Sequence, residues 1–294
     1  NMMGRHYAAV IILLIIVLFG IYPAGKNTGR EEALLQERFS AAELEFINAN
    51  GIAYKDLEPY LKYHKFDIYK YFQYEEVRFK HGYTHLESLN HVHNPDYYRF
   101  YHQPREALFP DTPLMLVNKC HYLDKDYVPG DLVNVRDYDI DYIVREGEEI
   151  CLRKAALDAY VEMYEAARAD GIELMIFSGY RSYEKQSVLH YQVYNQDDSI
   201  SARPGFSEHQ TGYALDISRP GDGLTMLFAQ SPSFAWLSAN CHKYGFILRF
   251  PAGKEHITGY TFEPWHFRYV GDYAETIHAG GLTLEEYIFS NLEI

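Results

Sequence analysis

The chain has 294 residues, 47% of them hydrophobic and 16% aromatic, enough apolar material for one sizeable core plus a smaller domain, which excludes a disordered chain. Its formal net charge of -14 argues against nucleic acid as a partner, because holding a phosphate backbone needs clustered Lys and Arg. An anionic substrate is therefore expected to meet individually placed cations.

From Tyr7 to Ala24 the sequence reads YAAVIILLIIVLFGIYPA, 18 uncharged residues, about the length that crosses a bilayer as a helix. Arg5 precedes it, and Tyr22 ahead of Ala24 fits a cleavage site poorly. The expectation is an uncleaved anchor over residues 7–24, a single pass that ties the chain to the cell membrane with the rest outside.

A small helical region is expected over residues 31–108. Ser40 to Glu43, reading SAAE, has the pattern of a capping box, and Asn50 with Gly51 closes the helix it opens. YKDLEPYLKY and DIYKYFQYEEVRF continue in amphipathic fashion, with tyrosines at helical spacing that read as packing between short helices. The tract that follows carries His81, His85, His91, His93 and His102. His81 and His85 have a spacing that puts two ligands on one helix face, but no acidic residue follows at a metalloprotease spacing, and the tract is read as packing.

From residue 112 to 294 strands and helices alternate. PLMLVN is expected to be a strand, and YVPGDLV turns at Pro129 and Gly130. Leu152, Ala156, Tyr160, Met163 and Ala167 lie along one face of a helix that Gly171 ends. ELMIFSGY reads as a buried strand, YEKQSVLHYQVYNQ as a helix, TGYALDIS as a strand and SFAWLSANCHKYGF as a helix. FILRF and HFRYV read as strands, and TLEE, from Thr283 to Glu286, caps a last helix. Short strands in this order need antiparallel partners, so the expectation is an α+β domain, a small antiparallel sheet with flanking helices. Cys120, Cys151 and Cys241 show no CxxC spacing; three unpaired thiols are expected, with one bridge plus a free thiol as the alternative.

The residues with metal chemistry are His209, Asp216 and His266: two imidazoles and a carboxylate, the number of protein ligands a hydrolytic zinc ion takes while keeping one position open. Gly212 and Ala214 leave room between the first two, and Glu263 stands three residues before His266, where it would serve as general base. Ser207, His209, Gly212, Ala214 and Asp216 match SxHxxGxAxD, and Glu263, Trp265 and His266 match ExWH. Both signatures belong to the LAS zinc metallopeptidases, which the chain resembles. SGYRS, YGFILRFP and ITGYTFEPWHFRYVG are more narrowly similar to the VanY-type D-alanyl-D-alanine carboxypeptidases, from about Pro113 to Leu292.

That resemblance implies a fold of the hedgehog and D-Ala-D-Ala peptidase type. It further implies a Zn2+ ion on His209, Asp216 and His266, with Glu263 as catalytic base. Arg181 would bind or polarise the carbonyl that becomes an oxyanion, and Ser207 and Gln186 would line the pocket for the terminal D-alanine. For Arg181, the bland alternative is an ion pair with Glu184 at a helix start; Trp265 either braces base and ligand or simply fills the core. The expected reaction is D,D-carboxypeptidase cleavage of peptidoglycan stem peptides. The rivals are an L,D-carboxypeptidase acting on tetrapeptides, an endopeptidase, and a zinc-stabilised binding module without turnover.

Overall fold

The computed structural model describes residues 27–292 apart from Tyr97. The uncharged run at 7–24 lies outside the described residues, and among those described no helix is long and apolar enough to cross a membrane. The chain divides into two compact units, Asn1–Val92 and His93–Ile294.

The first unit is helical. Its helices are Gly29–Arg38, Ala41–Ala49, Tyr54–Leu61 and Tyr71–His81, with His85–His93 running to the boundary. Ser40 caps the second helix by accepting from the Glu43 amide while the Glu43 carboxylate accepts from the Ser40 amide, the reciprocal box its sequence predicts. The tyrosines are core: Tyr60, fully buried, stacks on Phe66 at 5.2 Å and meets the edge of His85 at 4.8 Å. His81 packs against Tyr83 at 5.0 Å and His91 at 5.7 Å.

The boundary falls earlier than the sequence suggested. Residues 93–108 belong to the second unit, where Tyr98, Phe100 and Leu108 pack against Leu114, Ile247 and Ile257. A two-residue strand in this stretch, β1 (Arg105–Glu106), pairs in parallel with β2 (His121–Tyr122). The expected strand at PLMLVN does not form. Its apolar residues Leu114 to Val117 are buried, but the segment makes only isolated bridges, and the carbonyls of Pro113 and Met115 accept from the Arg268 guanidinium instead of a neighbouring strand.

Two sheets follow. β3 (Leu132–Asn134) pairs antiparallel with β4 (Cys151–Arg153), and the helix Lys154–Ala169 leaves β4 directly. Leu152, expected on that helix, therefore lies in β4. The helix buries Ala156, Tyr160, Met163 and Ala167, and Gly171, at φ 74°, turns the chain out of it. The main sheet is antiparallel with order β5-β6-β8-β7: β5 (Met175–Ser178), β6 (Ala214–Ser218), β7 (Phe246–Leu248) and β8 (His266–Tyr269).

Strand periodicity then sorts the side chains. Leu215, Ile217 and Phe267 join Leu157, Tyr160 and Met163 in the main core, so Asp216, His266 and Arg268 project from the opposite face of the sheet. The helix expected across YEKQSVLHYQVYNQ is shorter, Tyr183–Val188, and runs on into a wider turn at Leu189–Val193. The helix expected across SFAWLSANCHKYGF is also shorter, Pro232–Asn240, tightening into a 3-10 turn at Cys241–Tyr244 before Phe246 opens β7, while Leu284–Asn291 forms as expected, capped by Thr283 and Glu286. The three cysteines are thiols, as expected, with Cys120 and Cys241 buried and Cys151 half-buried.

Candidate active site

The register of β6 and β8 makes half of the site. Asp216 and His266 are direct cross-strand partners, so their side chains stand side by side on one face. His266 Nδ1 lies 3.1 Å from Asp216 Oδ1. His209 arrives from a tight turn at Glu208–Thr211, just before β6, that ends at Gly212. Gly212 adopts φ 72°, and a Cβ there would come within 3.0 Å of Arg153 Cγ and 3.1 Å of Leu132 Cδ2, so both conformation and space demand glycine. The His209 ring is fixed by Nδ1–H donating to Gly179 O at 2.7 Å, which turns Nε2 toward Asp216 Oδ2, 3.4 Å away.

Among the described residues, His209, Asp216 and His266 form one group whose ligand atoms all lie within 4.8 Å of one another, and all three are buried. A donor set of two imidazoles and a carboxylate, converging at this distance, fits zinc. Burial opposes ionisation of Asp216, but His209 and His266 outweigh it and hold the carboxyl well below the usual range. His266 moves the other way: burial works against its charge, yet hydrogen bonds to Asp216 and Glu208 push it up to about 9. His209 is lowered by burial and by Arg181.

Glu263 sits in the turn that leads into β8. Its backbone N–H donates to Phe250 O at 3.2 Å and its carbonyl accepts from His266 N at 3.2 Å, which brings its Oε2 within 3.9 Å of His266 Nδ1. Burial pushes its carboxyl up to about 7; Asp216 adds to the rise, while His266 and Arg181 oppose it. Trp265 is half-buried against the main core and its carbonyl accepts from Ile217 N at 2.8 Å, so core packing locks the turn that carries base and ligand.

Arg181 follows β5 and its backbone N–H donates to His209 O at 3.1 Å. Its guanidinium turns inward rather than toward Glu184: Nη1 donates to Gln186 Oε1 at 2.8 Å, Nη2 to Ser178 Oγ at 3.2 Å, and Nη2 stands 3.9 Å from Asp216 Oδ2. Gln186 is itself held, its Nε2 donating to Ala202 O at 2.6 Å and Ser201 Oγ at 3.1 Å. Ser207 is buried beside His209. Arg181, Gln186, Ser207, Glu263 and the three metal-type residues all line one cleft of about 380 Å³.

Sequence reasoning missed Glu208. It is buried between the ligand-type His209 and two arginines that are 0% exposed. Its Oε1 accepts from Arg249 Nε at 2.7 Å and Arg268 Nη1 at 2.9 Å, and its Oε2 lies 3.5 Å from His266 Nε2. Arg249 also donates to both oxygens of Glu285, Nη1 to Oε2 at 2.8 Å. Two cations and two anions thus balance in the interior.

Comparisons with known proteins bear on the same residues. A family model described as VanY, D-alanyl-D-alanine carboxypeptidase, matches residues 149–272. The Bacillus subtilis protein YodJ is 42% identical over 187 residues, covering 60% of this chain and 67% of its own length. A D-alanyl-D-alanine carboxypeptidase of Enterococcus faecium is 35% identical over 179 residues, covering 60% of this chain and 57% of its own. Among solved structures, the LdcB LD-carboxypeptidase superposes with a TM-score of 0.56 at 38% identity, covering 65% of this chain and 94% of that one.

Proposed function

We propose the activity from one premise: this chain belongs to the VanY family of D-alanyl-D-alanine carboxypeptidases. It is a zinc-dependent D,D-carboxypeptidase that hydrolyses the terminal D-alanine from peptidoglycan stem peptides. The observation that carries this reading is the convergence of His209, Asp216 and His266 with Glu263 and Arg181 on a single cleft. A binding module without turnover has no use for a buried carboxyl such as Glu263 held beside an intact ligand set, which weighs against that rival.

His209, Asp216 and His266 would hold the zinc, which when bound would supply Lewis acidity for activating water and polarising the scissile carbonyl. Glu263 is the general base. It accepts a proton from the attacking water and returns it to the amine nitrogen as the C–N bond breaks, releasing D-alanine and a stem shortened by one residue. Burial raises this carboxyl, the direction that eases return of the proton to the leaving amine. Arg181, pre-oriented by Gln186 and Ser178, donates to the substrate oxygen on which negative charge gathers. Gln186 acts through Arg181, because its own amide is already engaged with Ser201 and Ala202, and Ser207 forms the wall beside His209.

Such a substrate lies outside the cell membrane, and we place the cleft there, with the uncharged run at 7–24 as its tether. The likeness to the LdcB LD-carboxypeptidase favours one second reading, the same chemistry on a stem tetrapeptide. The test is to deplete the protein of metal, titrate zinc back, and follow D-alanine released from a stem pentapeptide. Release should rise to a plateau at one zinc per chain; release independent of zinc refutes the reading, and turnover of the tetrapeptide in preference selects the second.

A further inference from the structure

The buried carboxylate of Glu208 is expensive to keep. It sits with Arg249 and Arg268, which are among the largest fully buried side chains among the described residues, and apolar replacements of such groups are commonly neutral or stabilising. Its arrangement has a direction. One oxygen, Oε1, takes both guanidinium groups, and the other, Oε2, is left facing His266 Nε2 at 3.5 Å. The opposite nitrogen of the same ring, Nδ1, faces Asp216 and the convergence point of the three ligand-type groups. Phe250 stacks on the His266 ring at 4.7 Å with planes 21° apart, which leaves in-plane orientation to be set by the groups at the two nitrogens.

We propose that Glu208 is a positioning residue for the metal centre. Its Oε2 accepts the Nε2–H of His266, which fixes the tautomer that leaves the Nδ1 lone pair free for the ion. Arg249 and Arg268 clamp the carboxylate from the far side, and Glu285 in turn holds Arg249. A neutral imidazole has one donor and one acceptor nitrogen, so a fixed acceptor at Nε2 decides which nitrogen binds metal. The turn Glu208–Thr211 then serves both histidines: it carries His209 and it orients His266. The C-terminal helix Leu284–Asn291, far from the cleft in sequence, joins the same support through Glu285 and Arg249. The inference rests on the metal reading given above, and the same experiment separates the two.

The experiment measures zinc affinity by competition with a chromogenic chelator for the wild type, Glu208→Gln, and the double variant Glu208→Gln with Arg268→Met. The double variant removes one buried cation together with the carboxylate and so keeps the interior balanced should the single variant misfold. Loss of the carboxylate should weaken zinc binding by about tenfold to a hundredfold in whichever of the two folds, as expected for an outer partner of a metal-bound histidine. Wild-type affinity in the double variant would reduce Glu208 to charge balance and overturn the proposal. Independently of any variant, nitrogen NMR of the zinc-loaded wild type should show His266 protonated at Nε2 and bound through Nδ1; the reverse assignment overturns it. A protein that takes up no zinc would instead overturn the metal reading itself.

Discussion

At the residue scale, the base and one ligand shift in the same direction. Glu263 has its folded-state value raised to about 7, chiefly by burial, and His266 is raised to about 9. A raised value means the folded state holds the proton more tightly than the unfolded chain. The stability that Glu263 contributes is therefore present below its ordinary value near 4.5 and lost as pH climbs through about 7. For His266 it is present below 6.5 and lost toward about 9. Below 6.5 the lowered histidines, His209 and His121 among them, work the other way, so metal-free protein should lose melting temperature from about pH 7 to about pH 9, and Glu263→Gln should flatten the lower part of that loss. A wild-type profile that rises over this range would contradict the assignment. With zinc bound, the same Glu263→Gln variant should keep its metal while turnover drops by roughly a hundredfold to ten-thousandfold, the usual worth of a general base.

Zinc must also displace the His266 proton. Its affinity should climb by about tenfold per pH unit up to about 9, with close to one proton released per ion near neutrality in calorimetry across buffers. His209→Ala should lose stoichiometric zinc, because two ligands rarely hold it. These residues were legible in the sequence because each sits in a short motif with small neighbours. Glu208 lay inside one of those motifs and was still missed. Its role depends on Arg249 and Arg268, which lie on other strands, and nothing in a single stretch of sequence announces that three charges will be buried together.

At the scale of elements, the site depends on strand register and on two glycines. ALDIS and HFRY were legible as strands; their alternation puts Leu215, Ile217 and Phe267 in the core, and the observed register of β6 and β8 pairs Asp216 with His266 on the other face. Gly179 lies between β5 and Arg181. A Cβ there would collide with Cys151 O, and its own carbonyl holds His209. Gly179→Ala should cost on the order of 1–3 kcal/mol, as overpacking does, and should weaken zinc binding because the His209 acceptor moves. Unchanged melting and unchanged zinc affinity together would show that the junction yields without consequence. PLMLVN was misread for a physical reason: an apolar run of strand-like composition is equally served by burial in an extended loop, and here a guanidinium takes carbonyls that a strand would have used.

At the scale of the whole molecule, the two units have separate cores, one aromatic and helical, the other built on the sheet that carries the site. Metal binding stabilises only the unit that contains the ligands. In a calorimetric scan a chelator should lower the transition of the unit 93–294 and leave that of the helical unit where it was. A common shift of both would mean that the units unfold as one. Within the second unit the buried charges reach from the metal site to the last helix, so Glu285→Ala, which strips Arg249 of one of its two anionic partners, should destabilise by about 3–5 kcal/mol. The domain boundary was legible only roughly because residues 93–108 carry the same tyrosine-rich composition as the helices before them, and only tertiary contacts assign them to the second unit.

A single hydrolytic centre that removes one residue from the end of a stem peptide leaves a product one alanine lighter. Mass spectrometry of a stem pentapeptide after incubation with the zinc-loaded protein, with and without a chelator, tests it most directly. Loss of one alanine, abolished by the chelator, is the expected result. Loss of a dipeptide, an internal cut, or loss of alanine that persists without metal would contradict it.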